Sequence, residues 1–366
     1  MALGFADLWG HMNRSVTAWT PLLIMGLFLL QPIGLGAWFS LLPEVQLRLG
    51  ASKSELAFAL LGAPISMMIS MQLAGYLINR SGPRRLLFWA LIAQAGTILL
   101  PPMAASIAQL FAALALFGVA MAFAVVALNV YAGRLEQALG RAIMGRCHGF
   151  WALGVMLGPL LMAAFASLGT MTALTIVSVG VLPLALPLIP ALPHIGAEPG
   201  GAAQKRLRIR EVPAALIMLA LFVLSISMTE GAMSDWSAIY LAERFPNLAV
   251  DAGLGVSVYA GFLAFGRFTG DTLQAVFGPV RLARIALAVA VTGLLILAVP
   301  SPMPAAFVAF ALVGLGVSVG FPLAVTAAAR IDPQMDGPYI AAMSLFGSIG
   351  FLIGPPLIGT LADAAT

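Results

Sequence analysis

Apolar stretches of about 20 residues recur from one end of this chain to the other, separated by Gly/Pro punctuation or by charge. Each is long enough to cross a hydrocarbon core about 30 Å thick at 1.5 Å per residue. Backbone polar groups in lipid must be bonded internally, so such segments are helices or closed barrels. Barrel strands alternate with a period of two over about 10 residues, whereas these segments are continuously apolar. The pattern predicts eleven membrane helices, over 19–42, 54–79, 85–102, 105–132, 145–166, 170–193, 213–243, 252–277, 280–299, 303–329 and 338–362. The third is short, because Pro101 and Pro102 end it. The longest polar break, 194–212, carries His194, Glu198, Lys205, Arg206, Arg208, Arg210 and Glu211. It is too short for a domain. It predicts a cytoplasmic linker between a six-helix bundle over 1–193 and a five-helix bundle over 213–366, in an all-α membrane protein.

Composition agrees. Of the 366 residues, 61% are hydrophobic and 9% charged, against about 25% charged in a soluble domain. A chain this apolar cannot cover a water-facing surface, so the lipid bilayer is an expected partner. The net charge of +4 does not point to nucleic acid, because the basic residues sit in short loops between helices, where they set topology. With the N-terminus in the cytoplasm, the inner side holds Arg14, Arg80, Arg84, Arg85, Arg134, Arg141, Arg146, Lys205, Arg206, Arg208, Arg210, Arg267, Arg281, Arg284 and Arg330. The outer side holds Arg48, Lys53 and Arg244, so 15 against 3 account for all 18. Cytoplasmic loops carry the excess of Lys and Arg, which fixes this orientation and supports the span count. The first apolar run is too long for the core of a cleavable signal and lacks a cleavage site. The single cysteine, Cys147, permits no intrachain disulfide.

A motif recurs once in each half. Gly75, Asn79, Arg80, Gly82, Pro83, Arg84 and Arg85 close the second span. Gly266, Arg267, Gly270 and Asp271 close the eighth, followed by Gly278, Pro279 and Arg281. The first copy resembles the loop signature Gly-x-Leu-x-Asp-Arg-x-Gly-Arg-Arg/Lys between helices two and three of the major facilitator superfamily, whose members are built from parallel six-helix repeats. The chain departs from it twice, with Asn79 where the family has Asp and Pro83 where it has a basic residue. In the family this loop latches the two halves in one state. Here Gly75 is expected to permit close helix approach, Gly82 a tight turn, and the arginines to hold the loop in the cytoplasm. On the fifth span, Gly154, Gly158 and Pro159 resemble the Gly-x-x-x-Gly-Pro of the antiporter-associated motif; as a bare pattern they make a flat, bent packing face. The stretches from Leu128 to Glu136, His148 to Trp151 and Glu230 to Ser237 are similar to a little-characterised bacterial subgroup. The family usually has twelve spans with both termini inside, so the last one is apparently missing, through truncation or natively. Its twelfth helix is peripheral, so a site could survive without it.

Ionisable groups inside a bilayer cost roughly 2.5–3.5 kcal/mol each on insertion scales, and mark candidate sites. Glu230 stands near the middle of 213–243 with no charged residue within four positions. A carboxylic acid in apolar surroundings suits reversible proton binding, and the alternative is an acid held neutral by a neighbour. Asp235, about 140° round the helix, reads as a second site, an outer gate contact or an ordinary polar residue. Trp236 and Tyr240 share one face and could stack on a ligand such as a sugar; an interfacial aromatic belt is the favoured reading. Gln31, with Trp38 two turns higher, lies on the first span. The resemblance makes the first and seventh helices cavity-lining, and so Gln31 and Glu230 a facing pair. His148 lies near the cytoplasmic end of the fifth span, level with Asn129 and Tyr131 on the fourth. It is read as a structural hydrogen bond to the end of helix four or as a proton exit. Arg267 is expected to pair with Asp271 at i+4. No phosphate loop, metal cluster or catalytic triad spacing is found.

The expectation is therefore a monomeric secondary transporter of the bacterial inner membrane, without cofactor, metal or enzymatic activity. One small solute would bind between the halves and move by alternating access, linked to a proton through Glu230. The alternative is a non-transporting receptor or an inactive truncated transporter. A channel lacks a polar stripe along any span, and an ATP-driven pump lacks a nucleotide-binding loop.

Overall fold

The computed structural model describes residues 16–196, 212–246, 252–331 and 335–364. Most of the expected 194–212 linker, and Arg14, lie outside them. Every regular element among the described residues is helical.

The first span is two helices, Thr20–Leu30 and Ile33–Leu49, with Gln31 and Pro32 between them. The proline ring has no N–H to continue the ladder. The second runs Lys53–Ser81, the third Pro83–Met103, the fourth Ile107–Leu139, the fifth Met144–Ala164 and the sixth, in short pieces, Thr170–Ala191. After the break come the seventh, Ala214–Arg244, the ninth, Pro279–Ala298, the tenth, Met303–Ala328, and the eleventh, Pro338–Ala364. These ten are long and apolar enough to cross a membrane. The expected eighth span is present as the 24-residue helix Leu254–Phe277. It is long enough, at about 36 Å, but it carries Arg267 and Asp271 and is less apolar than the others.

The two bundles pack alike. In the first, the first span lies on the fifth, and the second and third lie on the fourth. In the second, the seventh lies on the eleventh, and the eighth and ninth lie on the tenth. Each pair maps onto its counterpart by adding six, the signature of a parallel repeat. The repeat extends to backbone angles. Gly82 joins the second and third spans at φ 78°, ψ 157°, and Gly278 joins the eighth and ninth at φ 72°, ψ 160°. Positive φ is open to glycine at little cost. Each is followed by a proline opening the next helix, whose missing N–H is harmless at that position.

The halves meet along the fifth and eighth spans, and at the ends where the first span meets the seventh and the second meets the eleventh. Gly154 and Gly158 set how closely the fifth span lies on the first. A Cβ at Gly154 would fall 2.1 Å from the Leu29 carbonyl oxygen, and one at Gly158 2.3 Å from the Ala37 nitrogen. Pro159 lies inside the same helix. Gly75 has open space around it, so its expected role in close approach does not hold in this structure.

Candidate functional site

Glu230, on the seventh span, is met by a cation that the sequence assigns elsewhere. Arg267 of the eighth span places its Nη2 3.3 Å from Glu230 Oε1 and 3.3 Å from Oε2. The two side chains keep only 13% (Arg267) and 15% (Glu230) of their surface exposed. The expected i+4 pair with Asp271, which is exposed on its helix, gives way to this one, in which Glu230 lies in the bundle and needs a counter-charge. Arg267 also reaches across to the other half, where its Nη1 donates to the backbone carbonyl of His148 at 3.2 Å. One guanidinium thus joins the seventh, eighth and fifth spans. Two turns earlier on the eighth span, Tyr259 is buried, and its hydroxyl has no hydrogen-bond partner among the described residues.

A second polar group lies inside the first half. Gln31 Nε2 donates to Gln94 Oε1 at 2.9 Å, and Gln94 Nε2 donates to the Gln31 carbonyl at 3.1 Å. Trp151 Nε1 donates to Gln31 Oε1 at 3.1 Å. Both glutamines are buried, so each amide finds partners within the bundle, as burial requires. Trp151 packs where three apolar clusters meet, two in the first half and one in the second. It is one turn from His148, so the fifth span carries both polar groups. The expected facing pair of Gln31 and Glu230 is not formed, because Gln31 is engaged with Gln94 and Trp151, and Glu230 with Arg267.

The other expected residues fall as follows. Asp235 is half-buried and has no hydrogen bond or ion pair with any described residue. Trp236 is 7% exposed and packs into a cluster of the first half with Trp38, Leu41 and Leu42; its Nε1 has no partner among the described residues. It is therefore a contact between halves and not a member of an interfacial belt. Tyr240 turns the other way, donating to the Leu297 carbonyl at 3.2 Å and packing edge-on against Phe310. Trp38 is a core residue at 2% exposure. The Asn129 amide donates to its own helix, at the Val125 carbonyl, and the Tyr131 hydroxyl donates to the Pro193 carbonyl. The His148 ring packs edge-on against Phe28 and makes no hydrogen bond to the fourth span. Asn79 and Arg80 are exposed. Asn79 makes no side-chain hydrogen bond with a described residue, and Arg84 is half-buried beside buried Pro83.

Sequence reasoning missed Arg267, Gln94 and Trp151 as members of these groups. A signal for Arg267 existed. A lone acid within the spans calls for a cation, and Arg267 lies within a span too. Gln94 carried no signal beyond being an amide in an apolar segment.

Comparison with known proteins adds the following. The sequence profile of the Major Facilitator Superfamily matches residues 23–355. An uncharacterised transporter, y4wD, of Sinorhizobium fredii is 30% identical over 363 residues, covering 97% of this chain and 94% of that protein. The membrane protein MosC of Rhizobium meliloti is 26% identical over 339 residues, covering 92% and 82%. Among solved structures, the nucleoside transporter NupG superposes with a TM-score of 0.69 at 13% identity, covering 95% of this chain and 92% of that one. A bacterial homologue of the human lysosomal transporter Spinster, inward-facing and occupied, gives 0.72 at 17% identity, covering 95% and 82%. At these identities the structural likeness concerns the fold.

Proposed function

The chain belongs to the major facilitator superfamily, and from that premise we propose that it is a secondary active transporter working by alternating access and coupled to protons through Glu230. It moves one small solute across a bacterial inner membrane as a monomer, with its N-terminus and the Arg84 end of the bundle in the cytoplasm.

The carrying observation is the Glu230–Arg267 pair together with the bond from Arg267 to the His148 carbonyl. A proton arriving on Glu230 cancels its charge and leaves Arg267 without its counter-ion, while the guanidinium still bonds the fifth span. Proton occupancy therefore bears on a contact between the halves, which is what coupling requires: a ligand shifts a conformational equilibrium only through different interactions in the two states. Asp235, lone and half-buried five residues on, serves as a second proton-accepting group. Trp151, bonded to Gln31 where the clusters of the two halves meet, is an aromatic contact for the solute in this reading.

Purified protein in proteoliposomes, offered a panel of labelled small solutes with and without an imposed pH gradient, tests the reading. Accumulation driven by the gradient is expected in the native protein, and Glu230→Gln is expected to retain equilibrative exchange while losing gradient-driven accumulation. Unchanged accumulation by Glu230→Gln would remove the coupling role.

A further inference from the structure

The halves are joined at the Lys53 end by a contact whose parts come from both. The second span starts with a helix whose N-cap is Ser52. Helix starts leave N–H groups that find no partner within the helix. Here the Ser52 hydroxyl accepts from the Glu55 N–H at 3.1 Å, and Glu55 Oε2 accepts from the Ser52 N–H at 2.9 Å, a reciprocal cap. That leaves Lys53 and Ser54. Their N–H groups donate to Asp363 at the end of the eleventh span, Lys53 to Oδ1 at 3.1 Å and Ser54 to Oδ2 at 2.8 Å. One half thus supplies half of its own helix cap, and the other half supplies the rest.

Two further contacts surround it. Lys53 Nζ lies 3.0 Å from Glu243 Oε2 at the end of the seventh span. Gly359, one turn before Asp363, lets the spans touch: a Cβ there would lie 2.7 Å from the Lys53 carbonyl oxygen and 2.7 Å from Ala57 Cβ. The carboxylate also gains by position. In the last turn of its own helix Asp363 faces the negative end of the helix dipole, an unfavourable place, and it finds the positive end only on the second span. The favourable arrangement exists only while this end is closed.

We propose that Asp363 is a latch residue of the transport cycle: by capping the start of the second span, with Glu243 on Lys53 and Gly359 permitting the approach, it holds the outer mouth of the transporter shut. This rests on the transport reading for its purpose, but its test reads conformation and needs no solute.

Ile358 packs between apolar clusters of the two halves, five residues deeper than Asp363. In a Cys147→Ala background, an Ile358→Cys reporter is labelled in intact cells by a membrane-impermeant maleimide. Asp363→Asn is expected to raise the labelling rate at least about tenfold, the equivalent of about 1.4 kcal/mol. Gly359→Val, which separates the same helices by bulk, is expected to do likewise. Glu55→Ala, which removes only the cap supplied by the same half, is expected to stay within about twofold. Labelling unchanged in both Asp363→Asn and Gly359→Val, in protein of unchanged melting temperature, overturns the latch, as does an increase in Glu55→Ala as large as that in Asp363→Asn. If Asp363→Asn does not accumulate, Gly359→Val against Glu55→Ala decides alone. Loss of coupling at Glu230 would leave these rates as expected, so the two readings fail separately.

Discussion

The Glu230–Arg267 pair can be weighed by a double-mutant cycle. Its nitrogen and oxygen stand 3.3 Å apart, with 13% and 15% of the side chains exposed. At a charge separation of about 4 Å and an effective dielectric of about 20, the attraction is about 4 kcal/mol. Glu230→Gln leaves Arg267 with neutral acceptors only and no counter-charge, and Arg267→Gln leaves a carboxylate inside the bundle. Breaking a buried pair from one side costs about 3–5 kcal/mol, because the remaining charge stays desolvated. The double variant leaves no charge to strand and is expected to be no less stable than either single one. Costs of about 3 kcal/mol each, with a double cost of about 3, give a coupling of about 3 kcal/mol. Unfolding in mixed micelles of increasing denaturing-detergent fraction, followed by tryptophan fluorescence, supplies the four free energies. A coupling below about 0.5 kcal/mol, the size found for independent sites, would refute the claim that these charges form one desolvated unit.

Three further outcomes follow from the packing and are read in the same unfolding assay. Gly158→Val is expected to destabilise by about 2 kcal/mol or more, since its side chain would enter the backbone at Gly36 and Ala37; a neutral result would deny the close crossing of the first and fifth spans. Gln94→Leu should cost about 1–3 kcal/mol by leaving Gln31 Nε2 without its acceptor, whereas Gln94→Glu, which keeps an acceptor there, should cost less; equal costs would show that the amide contact carries no stability. Gly82→Ala and Gly278→Ala should each cost about 1–3 kcal/mol, because positive φ with ψ near 160° is a region essentially reserved for glycine, and by closely similar amounts, because their backbone angles match; a large inequality would undercut their equivalence across the repeat.

The spans were legible because lipid imposes one strong rule on sequence: a helix that crosses must be apolar for about 20 residues. That rule placed ten of the described helices by their own apolarity. It is weakest where the sequence departs from it. The eighth span, diluted by Arg267 and Asp271, forms its helix through packing against the fifth and tenth spans, not through its own apolarity. Partners within the bundle were not legible in the same way. Helical spacing offered Asp271 to Arg267 at i+4, and only the crossing of the seventh and eighth spans shows that Glu230 is the nearer carboxylate. Gln31 was readable as polar within a span, but its partner Gln94 is 63 positions away, and no local pattern links them. Trp236 looked like a belt residue because depth can be read from sequence, while the side of the helix that meets the other half cannot.

The same distinction locates where the mechanism resides. Contacts within each half repeat by six and are built from glycines and apolar faces, so they belong to the rigid units. The polar contacts described between halves do not repeat. Arg267 bonds the His148 carbonyl one turn into the fifth span, while Asp363 and Glu243 meet Lys53 and Ser54 at the Lys53 end. An interaction present in both states of a cycle contributes nothing to switching, however strong it is. The bonds able to govern alternation are those that parting the halves would break: charged ones from Arg267, Asp363 and Glu243, and a neutral one from Ser257 Oγ to the Met156 carbonyl at 2.9 Å. Charge in this chain is scarce, at 9% of residues, and the charged side chains of the second half that reach the first are Arg267, Glu243 and Asp363, on the eighth, seventh and eleventh spans. Substitutions at Asp363 and Glu243, at one end of the bundle, should shift conformational balance with little loss of fold, whereas those at the buried Glu230–Arg267 pair or at the within-half crossings of Gly154 and Gly158 should cost stability as well.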